Sequence, residues 1–292
     1  MIAKEIIKKV KNIQLKMRHL SDEAISGHYV SAFKGSGIEF DEVREYYAGD
    51  DVRSIDWNVT ARSGRPFIKR YVEERELTVM LVIDLSASQA FGTSGSLKSE
   101  LAAEVSALLA FLAIKNNDKV GLLIFTDHCE RYVAPQKGGR HVLRVIREIL
   151  GYQPSGTGTN ISQALDFVNK VIKQRSIVFL LSDFWDRDFE RSLRNTAKRH
   201  DLVALRVSDP READLPALGL MEFVDRETGQ RMLVDTSDPQ FQHRIHENTQ
   251  KQREMVTKAF KSSKVDYIEL QTDQSYLEPL QQFFLKRQRR IH

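Results

Sequence analysis

Apolar residues recur along this chain in two rhythms. From Leu77 to Ile83 they run almost unbroken, the pattern of a strand buried on both faces. Leu97, Leu101, Val105, Leu108, Leu109 and Leu112 follow at helical spacing and predict a helix. Val120 to Phe125 reads as a second strand, with Arg131-Tyr132-Val133 a short partner beside it. Helices are predicted over Val142 to Leu150 and Ile161 to Ile172, then a strand over Ile177 to Leu181. A helix over Phe189 to His200 and a strand over Leu202 to Val207 continue the alternation. Such alternation implies right-handed crossovers and a mostly parallel sheet covered on both faces. The expected class is α/β, doubly wound.

The remaining segments break that rhythm. Met221 to Val224 and Met232 to Val234 bracket Thr228-Gly229 and predict a β-hairpin inserted at about 220–235. A long polar helix from about Pro239 to Lys261, a strand over Tyr267 to Leu270 and a last helix follow. That helix carries Tyr276, Leu277, Leu280, Phe283 and Phe284 on one face. At the front, Ile2, Ile6, Val10, Ile13, Met17 and Leu20 form one helical stripe in an otherwise basic segment. Such a helix docks on its own domain, or lies on a membrane or in a partner's groove. Residues 27 to 76 lack a long periodic segment and are expected to form short strands and loops. Their aromatics, among them Tyr46, Tyr47, Trp57 and Phe67, argue against a disordered linker. The expected division is 1–76, a helix and an Arg/Asp-rich segment packed on the main domain, and 77–292, the α/β domain with its hairpin.

Composition narrows the setting more than the chemistry. The 292 residues can bury one large core, or one core with a small appendage. Lysines and arginines number 44 against 40 acids, and a net charge of +4 does not by itself indicate nucleic-acid binding. Cys129 has no second cysteine to pair with, which fits a reducing compartment. Lysines interrupt the first twenty residues, so no secretory signal is expected there, and no apolar run approaches the ~18 residues of a membrane span. The expectation is a cytoplasmic protein, touching the inner face of a membrane at most through its basic N-terminal helix.

In an open parallel sheet, ligands collect at the carboxyl ends of the strands. After the first buried strand comes Asp84-Leu85-Ser86-Ala87-Ser88, and after Leu181 comes Ser182-Asp183. Between them, Ser155-Gly156-Thr157-Gly158-Thr159-Asn160 opens the helix at Ile161. These loops offer carboxylates and hydroxyls but no sulfur or imidazole, a set suited to a hard ion such as Mg²⁺, with Mn²⁺ or Ca²⁺ as substitutes. Hydroxyls add no charge, so two carboxylates only just balance a divalent ion and leave it able to take an anionic oxygen from outside. Ser and Asp are also ordinary turn and cap residues, so one loop alone is a weak signal. Three in the expected order are a stronger one.

Val79-Met80-Leu81-Val82-Ile83-Asp84-Leu85-Ser86-Ala87-Ser88, Gly158-Thr159-Asn160-Ile161 and Leu181-Ser182-Asp183 resemble a von Willebrand factor type A domain over about residues 77 to 290. The resemblance implies a metal-ion-dependent adhesion site at Asp84, Ser86, Ser88, Thr159 and Asp183, whose metal takes a carboxylate from a partner protein. Thr157, two residues earlier, is a second candidate threonine. Thr159 fits the family better because Asn160-Ile161 follows it. Gly37-Ile38-Glu39-Phe40, Val43-Arg44-Glu45-Tyr46, Gly49-Asp50-Asp51-Val52-Arg53-Ser54-Ile55-Asp56-Trp57 and Ala61-Arg62 resemble the bacterial family called domain of unknown function 58. Its members are commonly paired with MoxR-type AAA+ ATPases, which implies a chaperone-like or assembly role and an unidentified client.

The resulting expectation is a non-enzymatic, metal-dependent protein-interaction module. The alternative is a Mg²⁺-dependent phosphatase-like enzyme with Asp84 as nucleophile; such enzymes want a second Asp where this chain has Ser86. Nucleic-acid binding through the basic ends is a weaker third reading. Other features carry bland expectations: His243 and His246 as a solvated pair, Cys129 as a packed thiol, Asp186 and Asp188 as helix-start acids. Ser94, between Gly92-Thr93 and Gly95, does not satisfy a nucleophile turn. Lys286-Arg287-Gln288-Arg289-Arg290 reads as a solvated charge run. Arg44, Arg53, Arg62, Arg65 and Arg70, among Glu42, Asp50, Asp51 and Asp56, form either a partner surface or an ion-pair network fastening the front segment to the main domain, the second being favoured.

Overall fold

The computed structural model describes residues 23–33, 39–72, 76–93, 97–224 and 229–291. The predicted helix over the first twenty residues and the Ser94 turn lie outside them. The chain groups into two compact units, the shorter spanning Phe33–Glu76 and the larger taking the residues on both sides. In the larger unit, helix α1 (Glu23–Ala32) therefore belongs with the α/β domain. Tyr29 of α1 is buried against Phe284 edge-to-face at 5.7 Å, and its hydroxyl donates to Asp118.

In the shorter unit, strand β1 (Glu39–Glu45) pairs antiparallel with β2 (Phe67–Val72), and helix α2 (Trp57–Ser63) lies between them in the chain. The acids divide their roles here. Asp50 takes a two-pronged ion pair from Arg44 at 2.7 and 2.9 Å. Asp51 and Asp56 instead cap helical turns, Asp56 accepting from Asn58 N and Val59 N. Of the arginines expected to form a network, Arg44 pairs with Asp50 and Arg65 with Glu45 within this unit, among the described residues. Helix α2 was hidden from the apolar pattern because it is a short helix of seven residues started by a cap.

The larger unit is built on β3 (Thr78–Asp84), β4 (Lys119–Phe125), β5 (Cys129–Gln136), β6 (Ile177–Ser182), β7 (Asp201–Ser208) and β10 (Asp266–Gln271). Their order is β10-β7-β6-β3-β4-β5, all parallel except β5 on the edge. The chain starts at the centre of this sheet and winds outward in both directions, as expected for the doubly wound class. Helices α3 (Lys98–Lys115), α4 (Gly139–Gly151), α5 (Ile161–Val171), α6 (Glu190–Arg199), α7 (Pro239–Ser263) and α8 (Leu277–Ile291) supply the crossovers and the chain's end. Met80, Val82, Leu123, Val178, Leu180 and Ala204 pack with Ile161, Leu165, Leu193, Val256 and Phe260 in one fully buried cluster. Removing a side chain such as Leu165 there should cost roughly 2–5 kcal/mol. Gly121 is required by the same density, since a Cβ would lie 2.8 Å from Met80 Sδ and from Pro135 Cγ.

The hairpin forms as β8 (Leu220–Val224) and β9 (Arg231–Asp235), which among the described residues pair only with each other. Among the described residues, no helix is long and apolar enough to cross a membrane.

Candidate functional site

Strand β3 is central, and its neighbour β6 runs parallel with Ile83 opposite Leu181. Asp84 and the pair Ser182-Asp183 therefore leave the sheet side by side. Asp84 Oδ1 accepts from Ser86 N at 2.9 Å, which turns the chain sharply, and Asp84 Oδ2 accepts from Ser182 Oγ at 2.6 Å. Ser86 and Ser88 hydroxyls meet at 3.0 Å. Ala87 N donates to Thr157 O at 2.9 Å, tying this first loop to the one that carries Thr159. Asn160 caps α5 by accepting from Gln163 N. Phe184 holds a positive φ of 60°, a conformation uncommon outside glycine, as the chain turns away after Asp183.

The electrostatics at this edge are unbalanced. Asp84 is wholly buried. Burial, and after it the neighbouring charge of Asp183, pushes its carboxyl up to about 7, against hydrogen bonds from Ser182 and Ser86 that pull the other way. The Thr159 hydroxyl is buried with no hydrogen-bond partner among the described residues. An orphaned hydroxyl on the loop tied to the one that carries the buried Asp84 is residue chemistry a hard cation would satisfy. Of the five expected ligands, Asp84, Ser86, Ser88 and Asp183 come to one edge through these hydrogen bonds and the strand register, and Thr159 arrives on the loop bonded to Ala87. Thr157 is exposed at its side chain and contributes its carbonyl to that bond. Among the described residues, no three His, Cys, Asp or Glu side chains form a metal cage by themselves, so the hydroxyls are essential to any such site.

Three residues at this edge escaped the sequence reading. Lys98, the first residue of α3, is buried and sets its ammonium 2.7 Å from Asp183 Oδ2 and 2.5 Å from Glu212 Oε1. Burial works to lower its pKa, but Asp183 and Glu212 outweigh that and raise it, so it stays charged. A cation at a helix start is unfavourable on its own, and that misplacement was the available signal for a carboxylate partner. Glu130 is the third. It accepts from Gly156 N, Ser155 N, Ser155 Oγ, Thr126 Oγ1 and Tyr152 OH at 2.8 to 3.1 Å. Burial opposes its charge, yet these donors together bring its carboxyl down to about 2.

The turn between β4 and β5 and the loop before α5 bring Asp127, His128 and Ser155 into a line, with Asp127 Oδ1 2.8 Å from His128 Nδ1 and His128 Nε2 3.3 Å from Ser155 Oγ. The spacing resembles a hydrolytic relay. The serine proton, however, goes to the ionised Glu130 at 2.9 Å, leaving none to pass to the imidazole. Ser155 is a loop anchor. For the phosphatase reading, Ser86 stands where a second acid belongs and its hydroxyl faces Ser88.

His243 faces Glu247 and His246 faces Asp214, so the two imidazoles have separate partners. Cys129 is half-buried against the core, and burial raises its thiol. Asp186 does start a helix, but a different one: its carboxylate accepts from Ile161 N at 2.7 Å, at the head of α5. The basic tail is not a free charge run, because Arg287 pairs with Asp201 and Asp266, and Arg290 with Asp266.

Comparison with known proteins places these features in a family. "Uncharacterized protein Rv1480" of Mycobacterium tuberculosis is 30% identical over 284 residues, covering 96% of this chain and 89% of the relative. "Uncharacterized protein Mb1516" of Mycobacterium bovis matches with the same figures. Among solved structures, the conserved hypothetical protein BatB from Bacteroides thetaiotaomicron superposes with a TM-score of 0.50 at 18% identity, over 73% of this chain and 99% of that one. At that identity it speaks for the fold alone. The model of the family described as "Protein of unknown function DUF58" matches residues 42–255, and the chain belongs to that family.

Proposed function

We propose that the loops at Asp84, Thr159 and Asp183 form a metal-ion-dependent adhesion site. Asp84, Ser86, Ser88, Thr159 and Asp183 would hold one divalent ion, Mg²⁺ foremost, directly or through water. The ion supplies an electrophilic position for a carboxylate of a partner protein. The observation that carries this reading is the buried Asp84, raised by burial and by Asp183 and left short of positive charge. The chain's own residues orient the acceptor: Ser86 N and Ser182 Oγ fix both Asp84 oxygens, and the Ala87–Thr157 bond holds the threonine loop in register.

A protein, rather than a small molecule, suits the surroundings. Trp185, two residues beyond Asp183, is 42% exposed at the rim of an open cleft of about 950 Å³ that also includes Arg191 and Met255. The hairpin leaves Leu220, Met232 and Leu233 more than half exposed. Exposed apolar side chains of this size mark interaction surfaces. In keeping with the family resemblance, the chain would act as an adaptor or assembly factor beside a MoxR-type AAA+ ATPase. The test is capture of the purified ATPase on the immobilised chain. Capture is expected with Mg²⁺, and lost with EDTA or with Asp84→Ala at unchanged circular dichroism. Equal capture under all three conditions would sink the reading.

A further inference from the structure

A lysine ammonium lying on a candidate metal ligand is a cation already in the site. Lys98 and Asp183 are each 1% exposed at the side chain, and Glu212 is 18% exposed. Asp183 has two carboxylate oxygens. Oδ1 accepts from Trp185 N at 3.3 Å, and Oδ2 is taken by Lys98. A metal that needs an Asp183 oxygen therefore meets the ammonium first.

Glu212 is the other half of the arrangement, and it is firmly built. It closes a 3₁₀ turn after β7, where its Oε2 accepts from Asp209 N and its carbonyl accepts from Thr249 Oγ1 at 3.0 Å. Asp209 is itself held by Thr93, Arg211 and Thr272. The lysine stem is long and flexible by comparison, so of the two it is the group that can shift. When ionised, Asp84, Asp183 and Glu212 outnumber the Lys98 ammonium, and the other buried cation near Asp183 and Glu212, Arg206, is paired with Glu269 at 3.5 Å.

We infer that Lys98 is a built-in competitor for the metal, holding the Asp183 oxygen in the metal-free chain and passing to Glu212 alone when a divalent cation enters. The inference rests on the metal-site reading above and adds to it two residues outside the expected ligand set. Glu212 thereby sets cation affinity without touching the ion. The exchange needs no change of protonation, only a short displacement of the ammonium from one carboxylate toward the other. Without a metal, the same contact keeps Asp183 from being a buried, unpaired charge, which would be strongly destabilising.

Titration calorimetry with MnCl₂ and MgCl₂ on the full chain and two variants tests it, because the variants should move Kd in opposite directions. Lys98→Met removes the competitor and should tighten binding by about tenfold, the equivalent of ~1.4 kcal/mol. Glu212→Gln removes the alternative seat, leaves the ammonium on Asp183, and should weaken binding severalfold. A merely structural pair would move both in the same direction or neither. Lys98→Met binding no tighter than the parent, or Glu212→Gln binding as tightly as the parent, overturns the inference while leaving the metal site standing. No heat of binding for the parent and both variants overturns the metal site itself. If Lys98→Met fails to fold, Glu212→Gln decides alone by the same criterion.

Discussion

Two carboxylates at one edge of the sheet, on strands separated only by β4, meet opposite fates. Glu130, on β5, is encircled by five donors and stays ionised down to about pH 2. Asp84, at the end of β3, is buried more deeply, receives two close hydrogen bonds and sits beside Asp183, and its carboxyl rises to about 7. Both loops are rich in small and hydroxyl residues. What separates them is donor supply. A carboxylate with a full set of N–H and O–H donors is a structural anchor. One that is buried without them is a position waiting for positive charge. Glu130 fastens the loop that carries Thr159, so the anchor serves the under-satisfied partner. Gly156 makes that fastening sterically feasible, since a Cβ there would come within 2.0 Å of Asp127 Oδ1.

The contrast is sharpest in its pH dependence. In the folded, metal-free chain Asp84 holds its proton more tightly than its ordinary value of 3.8 allows. The stability it contributes is therefore complete below about pH 4 and is lost as the pH climbs through about 7. At pH 8 the buried charge should cost on the order of 4 kcal/mol at most. Urea denaturation in EDTA should show Asp84→Asn gaining stability over the parent at pH 8 and not at pH 4. Equal curves at both pH values would break the comparison. Mg²⁺ should restore most of the parent's deficit at pH 8, and none of the variant's.

Glu130 should behave in the opposite way. Glu130→Gln leaves several donors facing an uncharged amide and should destabilise the chain by about 2 kcal/mol at neutral pH, in Mg²⁺ and EDTA alike. A loss confined to one of those two conditions would show that the anchor and the site are not separable. The smallest effect belongs to Thr159. Thr159→Val removes a hydroxyl that has no hydrogen-bond partner among the described residues, so metal-free stability should stay within about 1 kcal/mol of the parent. Calorimetry should nonetheless show Mg²⁺ affinity falling by about tenfold, the scale of one lost ligand contact. An affinity unchanged by Thr159→Val and lowered by Thr157→Val would move the ligand to the earlier threonine.

The sheet and its covering helices were legible from periodicity alone, because burial on two faces leaves continuous apolar runs in strands and spaced ones in helices. The loops at Asp84, Thr159 and Asp183 were legible as well. A parallel sheet sends the ends of β3 and β6 to one edge, so residues 99 positions apart in the chain could be paired by topology before any contact was known. Even the hairpin at Leu220 to Asp235 was written in its turn and flanking apolar residues. Local chemistry was legible where the partner lies a few residues away, and the caps at Asp51 and Asp56 show how easily such acids are mistaken for ion-pair partners.

Tertiary structure alone decided which charges meet across the chain. Lys98 finds Asp183 and Glu212, Asp186 starts a helix that precedes it, and Arg287 folds back to Asp201 and Asp266. Charged side chains are long, and their pairing depends on where the chain returns rather than on any local period. The same holds for the difference between Glu130 and Asp84. Each is one acid beside small polar residues in the sequence, and only the folded arrangement of donors makes one an anchor and leaves the other's carboxyl raised by burial.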